Sequence, residues 1–122
     1  MIGDYEQFNY VQYAYLSKIY EYIRDANQAE ENDKKGADWG FDIAQLNYGK
    51  RLIRKAENLM DCCIAAKKEL FESGIKYIKA SFKGKRAYWF EQSGFFLLER
   101  DITKCLNEAE QGYNSFIRRI RK

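Results

Sequence analysis

The sequence predicts an all-α protein, an elongated antiparallel bundle of three long helices plus one short helix at an elbow. Three observations predict it. The 122 residues include no proline and only eight glycines, and these are the two residues that most disfavour a helix interior. Apolar side chains recur at steps of three and four through the middle of the chain, the spacing of one helix face. The two stretches that could pair as a hairpin, 75–82 and 86–90, do not alternate cleanly with the period of two that a half-buried strand requires. With 46% hydrophobic residues the chain can bury a core, and its length suits one domain spanning 1–122.

The first helix is expected over residues 4–31. Tyr5, Phe8, Val11, Tyr15, Leu16, Ile19, Tyr22, Ile23 and Ala26 share one arc, read as the buried stripe. Tyr10, Tyr13, Ser17, Tyr20 and Arg24 form a second stripe on another face. That stripe fits either a helix packed between two neighbours or an exposed tyrosine strip, since tyrosine and arginine are enriched at protein interfaces. Residues 30–38 (EENDKKGAD) are charged, lack large apolar groups and contain Gly36, so they read as an inter-helix loop. From Glu21 to Asp42 there are seven acidic against three basic residues, read as a solvated helix end and loop.

The clearest element is a central helix over residues 38–74. Its seam runs Leu46, Gly49, Ile53, Ala56, Met60, Cys63, Lys67, Leu70, flanked by Leu52, Leu59, Ile64 and Phe71. Asp38 is placed to cap the N-terminus through its carboxylate. Gly74 is placed as the residue that ends the helix in a left-handed conformation. After Gly74, Ile75, Ile78 and Phe82 can share a face of a short helix, followed by a turn at residues 83–86. The alternative is a hairpin of strands 75–82 and 86–90. The last helix is expected from Arg86 or Ala87 to Arg121. Its stripe is Tyr88, Phe95, Leu98, Ile102, Cys105, Leu106, Ala109, Tyr113, Phe116, Ile117 and Ile120. Gly94 weakens it locally.

The composition excludes several chemistries. There is no histidine, which removes Ser-His and Cys-His nucleophile pairs and the Glu-x-x-His ligands of di-iron bundles. The cysteines lack zinc-ligand spacing. Phe82-Lys83-Gly84-Lys85 lacks the spaced glycines of a phosphate-binding loop. No catalytic residue, cofactor or metal site is expected, and the protein reads as non-enzymatic. Cys63 and Cys105 fall on apolar stripes and read as small core residues, with Cys62 as the accessible thiol. Lys67 is an anomaly on the central seam; it reaches past the bundle end, or alternatively meets a buried carboxylate or sets the helix register. The opening residues carry no basic, apolar leader, and no apolar run is long enough for a bilayer. A cytoplasmic protein with no membrane contact is therefore expected.

One stretch stands out. Between Ser73 and Phe90 lie Lys76, Lys79, Lys83, Lys85 and Arg86, with no acidic residue, interleaved with Tyr77, Phe82, Tyr88, Trp89 and Phe90. Lysines can steer an acidic protein partner toward aromatic anchors. They can also neutralise phosphates while aromatics stack on unpaired bases. The plain alternative is aromatics that cap the bundle beneath solvated lysines. The net charge of +3 and the acidic stretch at 21–42 favour a protein partner over nucleic acid. The expected binding residues are Lys76, Lys79, Phe82, Lys83, Lys85, Arg86, Tyr88, Trp89 and Phe90, with Tyr10, Tyr13 and Tyr20 as a second surface. Such a chain is similar in type to immunity proteins, antitoxins and phage-encoded inhibitors, which bind and neutralise another protein. That is an analogy of type. A self-associating helical protein, forming a homo-oligomer through exposed helix stripes, is the remaining alternative.

Overall fold

The computed structural model describes residues 16–85 and 99–121. The described residues are helical throughout their regular structure, with no strand. A helical segment covers residues 16–22. Helix α1 spans Ala26–Asp38, α2 Asp42–Asn58, α3 Ile64–Ala80 and α4 Glu99–Ile120. A single 3₁₀ turn, Ser81–Lys83, follows α3. No helix among the described residues is long and apolar enough to cross a membrane.

The central helix of the sequence reading is two helices. It breaks at residues 59–63, and α2 and α3 fold back on each other as a hairpin. Leu59 leaves the helix in extended conformation (φ −77°, ψ 146°). The Cys63 amide then donates to the Met60 carbonyl at 3.0 Å, closing a tight turn. The apolar period stays in phase through this turn, so it cannot separate one straight helix from two that bury the same stripe. A straight seam of that length would need an equally long partner, whereas the hairpin lets the seam bury itself. Gly74 accordingly ends nothing. It sits within α3 opposite Gly49, where the helix backbones meet. A Cβ on Gly49 would stand 2.8 Å from the Gly74 carbonyl oxygen, and one on Gly74 would stand 2.9 Å from the Gly49 carbonyl oxygen. Only hydrogen at both positions permits this approach.

Lys67, the polar residue on the seam, explains the turn. It is 3% exposed, and its Nζ donates to the Leu59 carbonyl at 2.7 Å and pairs with Asp61 at 3.0 Å. The ammonium thus satisfies a carbonyl orphaned at the end of α2. It also lies 5.3 Å from the Phe116 ring centroid. Lys67 therefore neither reaches past the bundle end nor meets a buried carboxylate: the ammonium is buried, and the Asp61 side chain it pairs with is 41% exposed. Asp61 in turn receives Arg119 Nε at 2.7 Å and Nη2 at 3.2 Å, tying the end of α4 to the turn. The hydrogen bond from Arg119, then that from Lys67, lowers the Asp61 carboxyl to about 2.

The main core lies between α2, α3 and α4. Leu46, Ile53, Ala56, Phe71, Ile78, Ile102, Ala109 and Phe116 are buried there, with Cys105, Leu106, Tyr113, Ile117 and Ile120 packed against them. The stripe expected for the last helix is thus correct from Ile102 onward; its earlier positions, Tyr88, Phe95 and Leu98, and Gly94 lie outside the described residues. Phe71 and Phe116 stack with ring centroids 5.9 Å apart. Each buried side chain of this size contributes on the order of 1.5–3 kcal/mol.

The segment expected as a loop, residues 30–38, belongs to α1. Its buried residues, Ala29, Asn32, Asp33, Gly36 and Ala37, are small or polar, so its inward face carries no apolar signal. Asp38, expected as a cap, is the last residue of α1. The expected first helix is interrupted as well. Arg24 takes a left-handed backbone (φ 63°), and the Asp25 carboxylate caps α1 by accepting the Gln28 amide at 3.2 Å.

The faces of segment 16–22 are also reversed from the expectation. Ile19, Tyr22 and Ile23 are exposed and Ser17 is buried. A polar cluster sets this orientation. Asp33, 1% exposed, accepts Arg51 Nε at 2.6 Å, and Glu21 accepts the other end of the same guanidinium. Ser17 hydrogen-bonds the Asp33 carboxyl. A buried carboxylate requires such partners, so it draws the polar face inward. Burial raises the Asp33 carboxyl above its ordinary range, even though the hydrogen bonds from Arg51 and Ser17 pull the other way.

Candidate functional site

The cationic stretch begins on α3, which continues six residues past Gly74 rather than yielding to a separate helix. It ends at Ser81, whose hydroxyl donates to the Ile78 carbonyl at 2.5 Å. The 3₁₀ turn follows, and the chain then docks on the corner between α1 and α2. The Lys85 amide donates to the Gly40 carbonyl at 2.7 Å, and the Lys85 carbonyl accepts the Asp42 amide at 3.0 Å. This is an isolated parallel bridge between Phe41 and Lys85, so the hairpin alternative is wrong for the described residues. Gly84 makes the docking feasible, because a Cβ there would fall 2.3 Å from Gln45 Oε1 and 2.6 Å from the Asp42 Cα. Gly40 turns the corner at φ +88°, a conformation that only glycine adopts without strain.

Lys76, Lys79 and Lys83 are exposed. At about 100° per residue they fall within an arc of roughly 60° on one side of α3 and its 3₁₀ extension. None of the three makes an ion pair or hydrogen bond with another described residue. Elsewhere the described cations are often neutralised: Lys35 by Glu31, Lys55 by Glu30, Arg51 by Asp33 and Glu21, Lys67 and Arg119 by Asp61. Lys85 is exposed too, with its backbone fixed on the corner. Phe82 is 40% exposed.

Trp39, which the sequence reading passed over, joins this end of the molecule. It is 52% exposed and immediately precedes Gly40, the residue that receives Lys85. The adjacent Trp-Gly pair marks a turn, but only the long-range docking of Lys85 shows that this turn lies beside the cationic strip. Behind the strip, Tyr77 anchors α3 to α1. Its hydroxyl donates to Asp38 Oδ1 at 2.9 Å, and its ring meets Tyr48 edge-on at 4.8 Å. Burial, and then the hydrogen bond to the Asp38 carboxylate, pushes the Tyr77 hydroxyl up to about 12.

Tyr20 is not part of this surface. It is half-buried and sits next to Glu21, which pairs with Arg51 midway along α2. Arg51 is nine residues, about 13 Å of helix, from the Asp42 end where the elbow docks. Arg86, Tyr88, Trp89, Phe90, Tyr10 and Tyr13 lie outside the described residues. Cys62 is exposed as expected; Cys63, expected in the core, is exposed as well, because the turn carries it off the seam. Cys105 is half-buried on α4. Among the described residues no group of three His, Cys, Asp or Glu side chains could hold a metal ion.

No protein-family model, curated protein or solved structure matches the chain.

Proposed function

We propose that this chain works by docking on another protein through the elbow end of the bundle, and that docking inhibits or neutralises the partner. The observation that carries the reading is the row Lys76, Lys79, Lys83. These are three exposed cations on one side of a helix with no counter-ion among the described residues, next to a half-exposed Phe82. Such a row raises the association rate with an acidic surface, and an aromatic side chain beside it supplies the anchor that holds the complex. The rigid base supports the reading: Lys85 is hydrogen-bonded to the α1–α2 corner and Tyr77 to Asp38, so little conformational freedom is lost on docking.

The test is site-directed photo-crosslinking in the native host, with the reactive group placed at Phe82. A single protein adduct that disappears when Lys76, Lys79 and Lys83 are reversed to glutamate supports the proposal. An adduct with RNA or single-stranded DNA, with binding that weakens steeply in added salt, assigns the surface to nucleic acid instead. An adduct with a second copy of the chain assigns it to self-association.

A further inference from the structure

The turn between α2 and α3 carries three sulfur side chains in four residues: Met60, Cys62 and Cys63. The hydrogen bond from the Cys63 amide to the Met60 carbonyl, 3.0 Å, closes the turn and holds the two end Cα atoms within about 7 Å. Cys62 lies between them in the chain. Met60 is 72% exposed, and both cysteines are exposed free thiols. The fourth residue, Asp61, is committed elsewhere, its carboxylate held by Lys67 and by both donors of Arg119. The sulfurs therefore add nothing to the core, while the oxygen ligand beside them is occupied. Two cations, Lys67 and Arg119, meet one carboxylate in that tie.

We propose that this turn is a binding site for a soft, thiophilic monovalent cation of the copper(I) class. The Cys62 and Cys63 thiolates are its ligands, with the Met60 thioether as a weaker third donor. Thiolate and thioether donors select copper(I) over harder ions. A structural zinc ion needs four nitrogen, sulfur or oxygen ligands, and this turn has two thiolates and an engaged carboxylate. On binding, two S–H bonds break, two protons pass to solvent and two Cu–S bonds form. No electron is transferred. The resulting bis-thiolate complex carries one negative charge.

The test titrates the full chain anaerobically with copper(I) against a chromophoric copper(I) chelator. The wild type and a Cys105→Ser variant should each withdraw one equivalent and release two protons. Cys62→Ser and Cys63→Ser should each abolish this withdrawal, and Met60→Leu should weaken it about tenfold, roughly 1.4 kcal/mol. All these side chains but Cys105 are exposed, and circular dichroism of each variant checks that the fold is kept. Copper(I) remaining with the chelator in the wild type overturns the proposal. Unchanged binding by the Cys62→Ser, Cys63→Ser double variant, or its loss in Cys105→Ser, also overturns it.

Discussion

Replacing Gly49 or Gly74 with alanine tests the crossing on which the hairpin depends. In an isolated helix either change stabilises by about 1 kcal/mol, because alanine loses less backbone entropy. Here each new methyl would meet the facing backbone. On Gly49 it would lie 2.8 Å from the Gly74 carbonyl oxygen and 2.7 Å from Ile78 Cγ1; on Gly74 it would lie 2.9 Å from the Gly49 carbonyl oxygen and 2.7 Å from Ile53 Cδ1. An isoleucine tip can rotate away, but a helix carbonyl cannot, so α2 and α3 must separate. Overpacking of this kind costs about 1–3 kcal/mol, and a backbone clash belongs at the upper end. Against the propensity gain, each variant should lose about 2 kcal/mol, or roughly 8 °C in Tm at this chain length. Gly112 supplies the control. A Cβ there would meet Glu57 Oε1 at 3.4 Å and Phe71 Cε1 at 3.5 Å, which is ordinary contact, so Gly112→Ala should gain about 1 kcal/mol.

Urea and thermal unfolding followed by circular dichroism read all three variants on one scale. The double variant should lose less than the sum of the single losses, since helices already separated by one methyl accommodate the second. If Gly49→Ala and Gly74→Ala both match Gly112→Ala in raising stability, the helices do not cross there. A straight helix over residues 38–74 would then be the better description.

Four further outcomes follow from the polar contacts. Asp33→Ala should cost about 3 kcal/mol in urea unfolding, because it strips a largely buried Arg51 of its buried partner; no loss would mean that the cluster does not hold segment 16–22 in place. Lys67→Met should cost about 2 kcal/mol by leaving the Leu59 carbonyl unpaired, and a neutral result would show that water reaches that carbonyl. The Asp61 carboxyl is depressed in the folded state to about 2 from 3.8, so its contribution is complete above pH 4 and is lost as pH falls through about 2; acid unfolding of Asp61→Asn should be flatter than wild type across that window. Tyr77 is raised to about 12 from 10, so its contribution is present below pH 10 and lost as pH rises through 12; Tyr48 and Tyr113 are raised as well, so ultraviolet titration should show late-ionising tyrosines whose number falls by one in Tyr77→Phe.

What the sequence made legible follows from what periodicity can register. The stripe of α4 was readable from Ile102 to Ile120 because its buried face is apolar throughout and carries large side chains at Ile102, Leu106, Phe116 and Ile117. The hairpin was not, because Ala56, Met60, Cys63 and Lys67 stay in phase across the break and no glycine or proline marks residues 59–63. Helix α1 was hidden for the opposite reason. It packs through Ala29, Asn32, Asp33, Gly36 and Ala37, and small or polar side chains produce no apolar signal even when fully buried. Around segment 16–22 the apolar pattern pointed to the wrong face, since one buried carboxylate with its partners Arg51 and Ser17 outweighed the exposed Ile19, Tyr22 and Ile23.

The candidate surface divides in the same way. The lysines at 76, 79 and 83 are visible in one dimension because their spacing is local. That no described residue neutralises them is a property of three dimensions, as is the place of Trp39, which depends on Lys85 reaching back across 45 residues to Gly40. At the other end of the molecule, Met60, Cys62 and Cys63 are exposed in a turn whose Asp61 is held by Lys67 and Arg119. Both surfaces arise where a long-range polar contact fixes a short segment and so settles which neighbouring side chains face solvent. A search for function in chains of this kind should therefore begin from the buried polar contacts and ask what each leaves exposed.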